Sequence, residues 1–332
     1  MSETIPKIVV ITPVKNEEWI LDRFLSVTSQ FADLIIVADQ LSNDSSVEIC
    51  HKYPKVHLIQ NSSDEYDEAK RQYLLIDAAR EKVPGHKIIL ALDADEVMAA
   101  NAIESEGWKA MLQAEPGTVL CFEKPDLFLS PYKAIRYTTP WPVGYVDDGV
   151  EHIPNLIHSI RVPVPSYASI LHVHDVKILH YGLTRKSAQE SKMRFYSSIE
   201  NIKNTRSLPN RWAFYSSSKD YTKAGKLSDS EPYWYSGWQD LGINMTTIRL
   251  NNYYWYDYEV LKFFCHYGYK KFWFDDIWDF DWERCRLYAI DIGLKNIPDY
   301  KVVPPPFYIK IFSNLFANFY HLLSTAKTIL GR

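Results

Sequence analysis

Short apolar runs alternate with amphipathic segments along the first 123 residues. Five runs rich in Ile, Val and Leu have the length of buried strands: residues 7–11, 34–38, 56–59, 88–92 and 118–123. Between them, apolar residues at three- and four-residue spacing predict helices at residues 17–30, 44–53 and 64–82 and around Trp108. Strands and helices that alternate at such short intervals predict parallel pairing with right-handed crossovers.

The pattern loosens after about residue 125. Prolines and turn residues in 138–155 indicate loops of a binding face with one or two strands. A helix is predicted for residues 187–204, and from Trp234 the chain is aromatic-rich and mainly helical. The predicted fold class is therefore α/β, with a mixed, mostly parallel sheet flanked by helices. Its predicted parts are the α/β domain in 1–205, a helical extension in 206–303 and an amphipathic helix in 304–332.

Composition narrows the choice of partners and compartment. A net charge of -4 gives no basic field, so nucleic acid is not expected as a partner. The aromatic content of 14% suits sugar stacking or membrane interfaces, although core packing accounts for most of these residues. The four cysteines form no C-x-x-C pair, which fits a reducing compartment. We expect a cytoplasmic protein, because no segment resembles a signal peptide or has the ~18 apolar residues of a spanning helix.

Acidic residues follow the apolar run 88–92 directly, as Asp93, Asp95 and Glu96. The period-2 geometry of a strand points Asp93 and Asp95 to the same side. Two neighbouring carboxylates repel each other unless a cation lies between them. This segment alone would also suit a solvated turn whose aspartates cap a helix.

Two other predicted strands bring polar residues to the same edge of the sheet. Asp39 follows the second strand, and the first strand leads into Thr12, Pro13, Asn16 and Glu17. Each of these sequences alone is typical of a turn. Three consecutive strands that bring polar groups to one edge favour a site, because open α/β sheets bind ligands at the carboxyl ends of their strands.

Four segments, in order, resemble the inverting family 2 glycosyltransferases, which have the GT-A fold. They are ITPVKNEE, VADQLSNDSS with the pattern D-x-x-S-x-D-x-S, DEYDEAKRQYLL with Arg71, and ALDADEV with a D-x-D motif. The resemblance covers residues 7–123 well and the remainder weakly. Leu41 stands where the family often has Gly, so we expect a differently shaped turn there. The Q-x-x-R-W motif of processive synthases is absent, which favours transfer of a single sugar.

The resemblance implies a UDP- or GDP-sugar donor bound by residues 1–124 and a saccharide or lipid-linked acceptor bound by 125–205. Asp39 would accept a hydrogen bond from the nucleobase. Asp93 and Asp95 would hold Mn²⁺ or Mg²⁺, which neutralises the departing diphosphate. The other donor-site residues that it implies are Thr12, Pro13, Asn16, Glu17, Arg71 and Ala94.

An inverting transfer also needs a general base for the acceptor hydroxyl. Asp175, in SILHVHDVKILHYG, follows His174 where many relatives carry a His–acid pair, and it is the first candidate. Asp148 and then Glu151, in YVDDGVEH, are its rivals. His180 resembles a histidine that some GT-A enzymes use as a further metal ligand. The near-alternating histidines also suit a strand with ordinary polar side chains.

Two other classes of protein remain as alternatives. DADEV satisfies the D-x-D-x-T/V signature of haloacid dehalogenase-type phosphohydrolases, but it follows the fourth predicted strand instead of the first. A non-catalytic carbohydrate-binding protein would have no need for Asp39, Asp93 and Asp95. The first glycine is Gly85, so neither a pyrophosphorylase glycine-rich loop nor a G-x-G-x-x-G dinucleotide site is present near the N-terminus.

The C-terminal segment predicts an amphipathic helix over residues 308–330. Its apolar residues recur at three- and four-residue spacing, interrupted by polar residues that make it unsuitable as a spanning helix. Three roles are open: docking on the protein's own core, self-association through a subunit interface, and peripheral contact with the cytosolic membrane face.

Overall fold

The computed structural model describes residues 5–62, 66–155, 159–217, 225–309, 311, 312 and 315. The chain divides into two compact units, of which the first comprises Met1–Thr184 with Ala224–Arg249 and the second Arg185–Lys223 with Leu250–Arg332. The domain boundaries expected at residues 205 and 303 differ from these and stay a prediction. The helix predicted for 308–330 lies almost entirely outside the described residues.

The first unit is built on a sheet of eleven described strands. Their order is β11-β8-β7-β10-β6-β9-β4-β1-β2-β3, and β5 pairs with β10. The strands are β1 (Lys7–Val14), β2 (Leu34–Asp39), β3 (Val56–Gln60), β4 (Lys87–Ala91), β5 (Glu96–Met98), β6 (Val119–Glu123), β7 (Asp126–Leu127), β8 (Lys133–Arg136), β9 (Trp141–Val146), β10 (Ile170–His180) and β11 (Lys226–Asp229).

The pairing directions confirm the predicted fold class. Strands β3, β2, β1 and β4 are mutually parallel, and β10 is parallel to β6. Strand β9 lies antiparallel between β4 and β6, which makes the sheet mixed. In register, Val14 pairs with Asp39, and Ile11 pairs with Ala91. The carboxyl ends of β1, β2 and β4 therefore lie side by side, as the sequence predicted.

The first three helices follow the predicted alternation but begin later than predicted. Helix α1 begins at Leu21 instead of residue 17, and the N–H groups of Glu17 and Glu18 before it donate to the Ser46 and Asp44 side chains in the neighbouring loop. The described helices are α1 (Leu21–Thr28), α2 (Ser46–Cys50), α3 (Glu68–Lys82), α4 (Glu106–Leu112), α5 (Lys186–Lys203), α6 (Leu208–Ser217), α7 (Ser236–Asp240), α8 (Trp255–Tyr267) and α9 (Trp282–Asp291).

The core of the first unit covers both faces of the sheet. Along β1, Ile8 and Val10 belong to one apolar cluster, with the inner faces of α1 and α4. Val9 and Ile11 belong to the other, with the inner face of α3. Burial on both faces explains why these strands are continuous apolar runs, and it leaves their polar residues at the ends.

The second unit is helical and rich in aromatic side chains, as predicted. Phe264 of α8 packs against Phe272, Trp278 and Trp282, with ring centroids 5.1–5.7 Å apart. Arg194 of α5 pairs with the buried carboxylate of Asp257 at 2.9 Å. Across the described residues of both units, no helix is long and apolar enough to cross a membrane.

Candidate active site

The segment Asp93-Ala94-Asp95 forms the turn between β4 and β5. The N–H of Glu96 donates to the carbonyl of Asp93 at 2.9 Å, and the Glu96 carboxylate accepts from the N–H of Asp93 at 3.1 Å. Ala94 is buried in the core cluster that α1 covers. The turn is therefore rigidly held, and its buried alanine leaves the two aspartates to present their side chains at the edge of the sheet.

Glu96 is the most deeply buried carboxylate of this turn. It accepts hydrogen bonds from Lys124 at 2.9 Å and from Arg161 at 2.7 Å. Burial opposes its ionisation, but the charges of Arg161 and Lys124 outweigh that effect and lower the pKa of Glu96 to about 2. Arg161 also lies 2.8 Å from a carboxylate oxygen of Asp93. Sequence reasoning missed Arg161, because it belongs to an irregular segment with no motif.

His180, at the end of β10, lies between two carboxylates. Its Nε2 is 3.5 Å from Asp95, and its Nδ1 contacts Asp126, which also accepts from the hydroxyl of Tyr137. Burial disfavours the charged ring, but Asp95 and Asp126 raise the pKa of His180 to about 10. The structure thus brings His180 beside Asp95, and it adds Asp126, which sequence reasoning missed.

Gly182 lies in close contact with this pair, where a side chain would not fit. A Cβ added to Gly182 would lie 2.9 Å from His180 Nε2 and 3.3 Å from Asp95 Oδ2. Within the described part of the chain, no group of three or more His, Cys, Asp or Glu side chains is arranged to hold a metal ion. A cation here would thus need further ligands, for example phosphate oxygens of a substrate.

Two buried polar atoms lie at the ends of the neighbouring strands. Thr12 and Asp39 are almost fully buried, at 0% and 2% exposure. The Asp39 Oδ2 atom accepts from the N–H of Ser42 at 3.1 Å. Thr12 Oγ1 and Asp39 Oδ1 have no hydrogen-bond partner among the described residues. Because a buried polar atom without a partner costs roughly 1–3 kcal/mol, these two atoms are suited to a ligand with its own donor and acceptor groups.

The loops after β1 and β2 are bound to each other through side chains. The N–H of Asn16 donates to Ser42 Oγ at 2.8 Å, and Asn16 Oδ1 accepts from the N–H of Asn43 at 2.8 Å. Glu17 accepts from the indole N–H of Trp19 at 2.7 Å. The side chains of Asn16 and Glu17 thus have contacts that shape the loop.

Leu41, in the turn after β2, has an unusual backbone conformation for a residue with a side chain. Leu41 adopts φ 53°, in the left-handed region where a glycine is favoured. A non-glycine residue in this conformation carries strain of about 1–2 kcal/mol. Whether this turn differs in shape from that of relatives with glycine stays a prediction.

Arg71 reaches the same edge from α3. Its Nη1 donates to the side-chain oxygen of Gln40 at 3.4 Å, and its guanidinium lies 4.6 Å from the ring centre of Tyr66. Pro13 pairs in register with Ala38, one residue before Asp39. Arg71 and Pro13 are therefore both placed next to Asp39, where the resemblance expects a nucleotide.

Asp175 lies in the middle of β10, and its carboxylate is engaged there. It accepts from the N–H of Gly107, in the first turn of α4, at 3.0 Å. His180 is five residues further along the strand, which corresponds to about 16 Å. The structure therefore does not bring Asp175 next to the D-x-D turn.

The rival bases lie at the opposite edge of the sheet. Val146 at the end of β9 pairs with Ile88, at the start of β4, so residues 147–151 leave the sheet far from Asp93. Asp148 accepts from the hydroxyl of Tyr145 at 2.7 Å, and Glu151 is exposed. Neither residue is brought to the D-x-D turn.

The amino-terminal part of this unit was compared with known families. Residues 9–119 match the family model described as Glycosyl transferase family 2. This segment is therefore similar to glycosyl transferase family 2. The match includes Thr12, Asp39, Arg71 and the D-x-D turn, so the resemblance inferred from the four motifs is confirmed.

Solved structures similar to this chain share only part of its length. Glucosyl-3-phosphoglycerate synthase from Mycobacterium tuberculosis, solved with Mn²⁺, UDP and glucosyl-3-phosphoglycerate, is 16% identical, with 36% of this chain and 44% of that chain covered and a TM-score of 0.27. A 4-diphosphocytidyl-2C-methyl-D-erythritol synthase is 17% identical over 36% of this chain and 61% of that chain, with a TM-score of 0.27. A glycosyltransferase involved in the glycosylation of the major capsid of PBCV-1 is 15% identical over 43% and 60%, with a TM-score of 0.25. The chain thus spans less than two thirds of each of these structures. No curated protein matches it.

Proposed function

We propose that this protein transfers a single hexose from a nucleotide-diphosphate sugar to a hydroxyl of a saccharide or lipid-linked acceptor, with inversion. The observation that carries the proposal is the pair of buried atoms without partners, Thr12 Oγ1 and Asp39 Oδ1, at adjacent strand ends. A carboxylate oxygen held in this way can accept a hydrogen bond from an N–H of a UDP or GDP base. Arg71, beside Asp39, supplies a cation for the nucleotide.

The D-x-D turn fits a divalent cation. Asp95 and His180 have a carboxylate oxygen and an imidazole nitrogen 3.5 Å apart, and the absence of a side chain at Gly182 permits this close arrangement. Asp126 holds the other nitrogen of His180, as carboxylates hold metal-ligating histidines. Asp93 lies in the same turn. Mn²⁺ or Mg²⁺ here would act as a Lewis acid on the diphosphate.

The protein's own groups would orient the donor in this arrangement. Asp39 and Thr12 would fix the base, and the rigid turn at residues 93–96 would fix the carboxylates relative to it. Arg161 places a permanent positive charge 2.8 Å from Asp93, so it would limit repulsion between the turn and an incoming diphosphate. These contacts support donor binding more strongly than they support any one choice of base.

The proposal is tested by nucleotide binding to the wild type and to Asp39→Asn. Isothermal titration with UDP and GDP, each with and without Mn²⁺, should show binding of one nucleotide to the wild type. Asp39→Asn should weaken it by about 10- to 100-fold, the loss expected for a hydrogen bond to a buried charged group. Asp33→Asn is the matched control, because Asp33 precedes the other end of β2 and contacts Lys7. Absence of binding by the wild type under all conditions would refute the proposal.

The general base is tested separately. Asp175 stays our first candidate, followed by Asp148 and Glu151. In a transfer assay at saturating donor, the variant that lacks the base should lose transfer while its UDP affinity stays near that of the wild type. If Asp175→Asn only lowers the free energy of unfolding, by about 1 kcal/mol, its carboxylate stabilises α4 and does not act on the acceptor.

A further inference from the structure

A small pocket lies on the other side of the D-x-D turn from Asp39. It encloses about 10 Å³, which is room for roughly one water molecule or one oxygen atom of a larger group. Its wall comes from the end of β6, from β8 and β10, and from the short segment before α7. The lining residues are Glu123, Lys124, Pro125, Arg136, Tyr137, Lys177 and Trp234.

The pocket shares wall residues with the proposed active site. Lys124 donates to Glu96, and Tyr137 donates to Asp126, the partner of His180. In the sheet, β4 separates β1 and β2 from the strands that form this wall. A donor that places its base at Asp39 and its diphosphate at the D-x-D turn would therefore direct its sugar towards this side.

The charge of the lining favours an anion. The lining contains three cations, Lys124, Arg136 and Lys177, and one carboxylate, Glu123. Glu123 pairs with Lys177 at 3.0 Å. The other two cations pair with Glu96 and Glu231, and neither of these carboxylates lines the pocket. The wall thus presents more positive than negative charge, and its cations are held in place by partners behind it.

One group in the wall lacks a partner. Trp234 is fully buried, with the guanidinium of Arg136 4.8 Å from the centre of its ring. Its indole N–H has no hydrogen-bond partner among the described residues. By contrast, Trp238, four residues later and equally buried, donates to the carbonyl of Met98 at 2.8 Å. A buried N–H that lacks an acceptor is costly, so an acceptor oxygen in the pocket would stabilise Trp234.

We propose that this pocket binds an anionic group of the acceptor, a phosphate or a carboxylate, through the indole N–H of Trp234 and the charges of Arg136, Lys177 and Lys124. The proposal rests on the proposed transferase function, because it assigns the acceptor class for that site. Acceptors that carry such a group next to the reactive hydroxyl would be preferred over neutral ones.

The test observes Trp234 directly. The protein is labelled with ¹⁵N at the tryptophan indoles, and the Trp234 signal is assigned as the one lost in Trp234→Phe. Inorganic phosphate and acetate are titrated separately, with chloride adjusted to keep the ionic strength constant. We expect a saturable shift of the Trp234 signal while the signal of Trp238 stays unchanged. Tighter binding of phosphate or of acetate then tells which anionic group the pocket prefers.

Charge variants supply the control. Arg136→Gln should weaken anion binding about tenfold, since it removes one charge-assisted contact. Arg136→Lys keeps the charge and should restore most of the affinity. Lys133→Gln, on the same strand but outside the pocket, should bind like the wild type. The pocket proposal fails if neither anion shifts the Trp234 signal, or if Arg136→Gln and the wild type bind equally.

UDP binding, measured on the same samples, separates the two proposals. If neither UDP nor GDP binds the wild type, the proposed transferase function fails, whatever the Trp234 signal shows. If UDP binds and the Trp234 signal does not respond to either anion, the acceptor pocket alone fails. Asp39→Asn should lose UDP affinity but keep the anion-induced shift of Trp234.

Discussion

The two sides of the D-x-D turn are stabilised in different ways. On the Asp39 side, the loops after β1 and β2 are joined by hydrogen bonds between neutral N–H groups and side-chain oxygens, and two buried polar atoms remain without partners. On the His180 side, the described carboxylates are paired with cations, as Glu96 is with Arg161. A ligand on the first side would add contacts, whereas a cation on the second would have to replace some. Variants on the second side should therefore affect stability as well as activity.

The largest effect is expected from Asp95→Asn. This change removes a predicted metal ligand and one of the two charges that face His180. Sugar transfer should fall about a thousandfold or more, because a Lewis acid supplies several kcal/mol in the transition state. Transfer is measured with the donor that binds the wild type, and circular dichroism should show an intact fold. Wild-type turnover in this variant, or full activity of the wild type in EDTA, would contradict a metal-assisted reaction.

Arg161→Gln tests whether the ion pairs on the His180 side also stabilise the fold. In this variant the buried Glu96 carboxylate keeps its ion pair with Lys124 but loses the one with Arg161. The free energy of unfolding should fall by about 3 kcal/mol. Urea unfolding followed by circular dichroism measures it. Lys70→Gln is the matched control, since the Lys70 side chain is exposed and lies 3.6 Å from Asp67, and its loss should cost less than about 1 kcal/mol. Equal losses for the two variants would show that the Arg161 pairs contribute little.

The segment that brings Arg161 to the site should make the protein sensitive to acid. His152 in this segment lies 2.7 Å from the Gln72 side chain of α3, and burial, with a smaller effect of Arg80, lowers the pKa of His152 to about 4. The folded pKa lies below the ordinary value of 6.5. The stability that neutral His152 contributes is therefore complete above about pH 6.5 and is lost as the pH falls towards 4.

His152→Gln should remove this part of the pH dependence. The decrease in unfolding free energy between pH 7 and pH 4 should become smaller by at most about 3 kcal/mol. Urea unfolding at a series of pH values provides the measurement. An unchanged pH profile would mean that His152 is not protonated on unfolding in this range.

The smallest effect is expected on the Asp39 side of the D-x-D turn. Leu41→Gly relieves the left-handed strain at φ 53°, but it also increases the freedom of the unfolded chain. The net result should be a gain of about 0.5–1 kcal/mol, with UDP affinity unchanged. A loss of stability would show that the Leu41 side chain, although exposed, contributes more than its backbone strain costs.

The Asp39 side could be predicted from the sequence because its residues are close in sequence and follow regular strands. Thr12 and Asp39 were identified as residues at the ends of apolar runs, and the structure places them at adjacent strand ends. The same reasoning did not find Arg161, Lys124 or Asp126, because these residues lie in short or irregular segments whose position depends on distant partners. Asp175 shows the reverse problem, since its neighbours in sequence suggested a base while α4 engages its carboxylate.

The sequence by itself determined the α/β alternation, the edge of the sheet that carries the D-x-D turn, and the aromatic helical character of the second unit. These follow from local periodicity, because burial on both faces of a parallel sheet requires apolar strands and pushes polar residues to their ends. Tertiary structure alone decided that Glu96 is buried between Arg161 and Lys124, and that His180 lies between Asp95 and Asp126. Buried charges must find partners wherever the fold brings them, and no periodicity in the chain records which residue that will be.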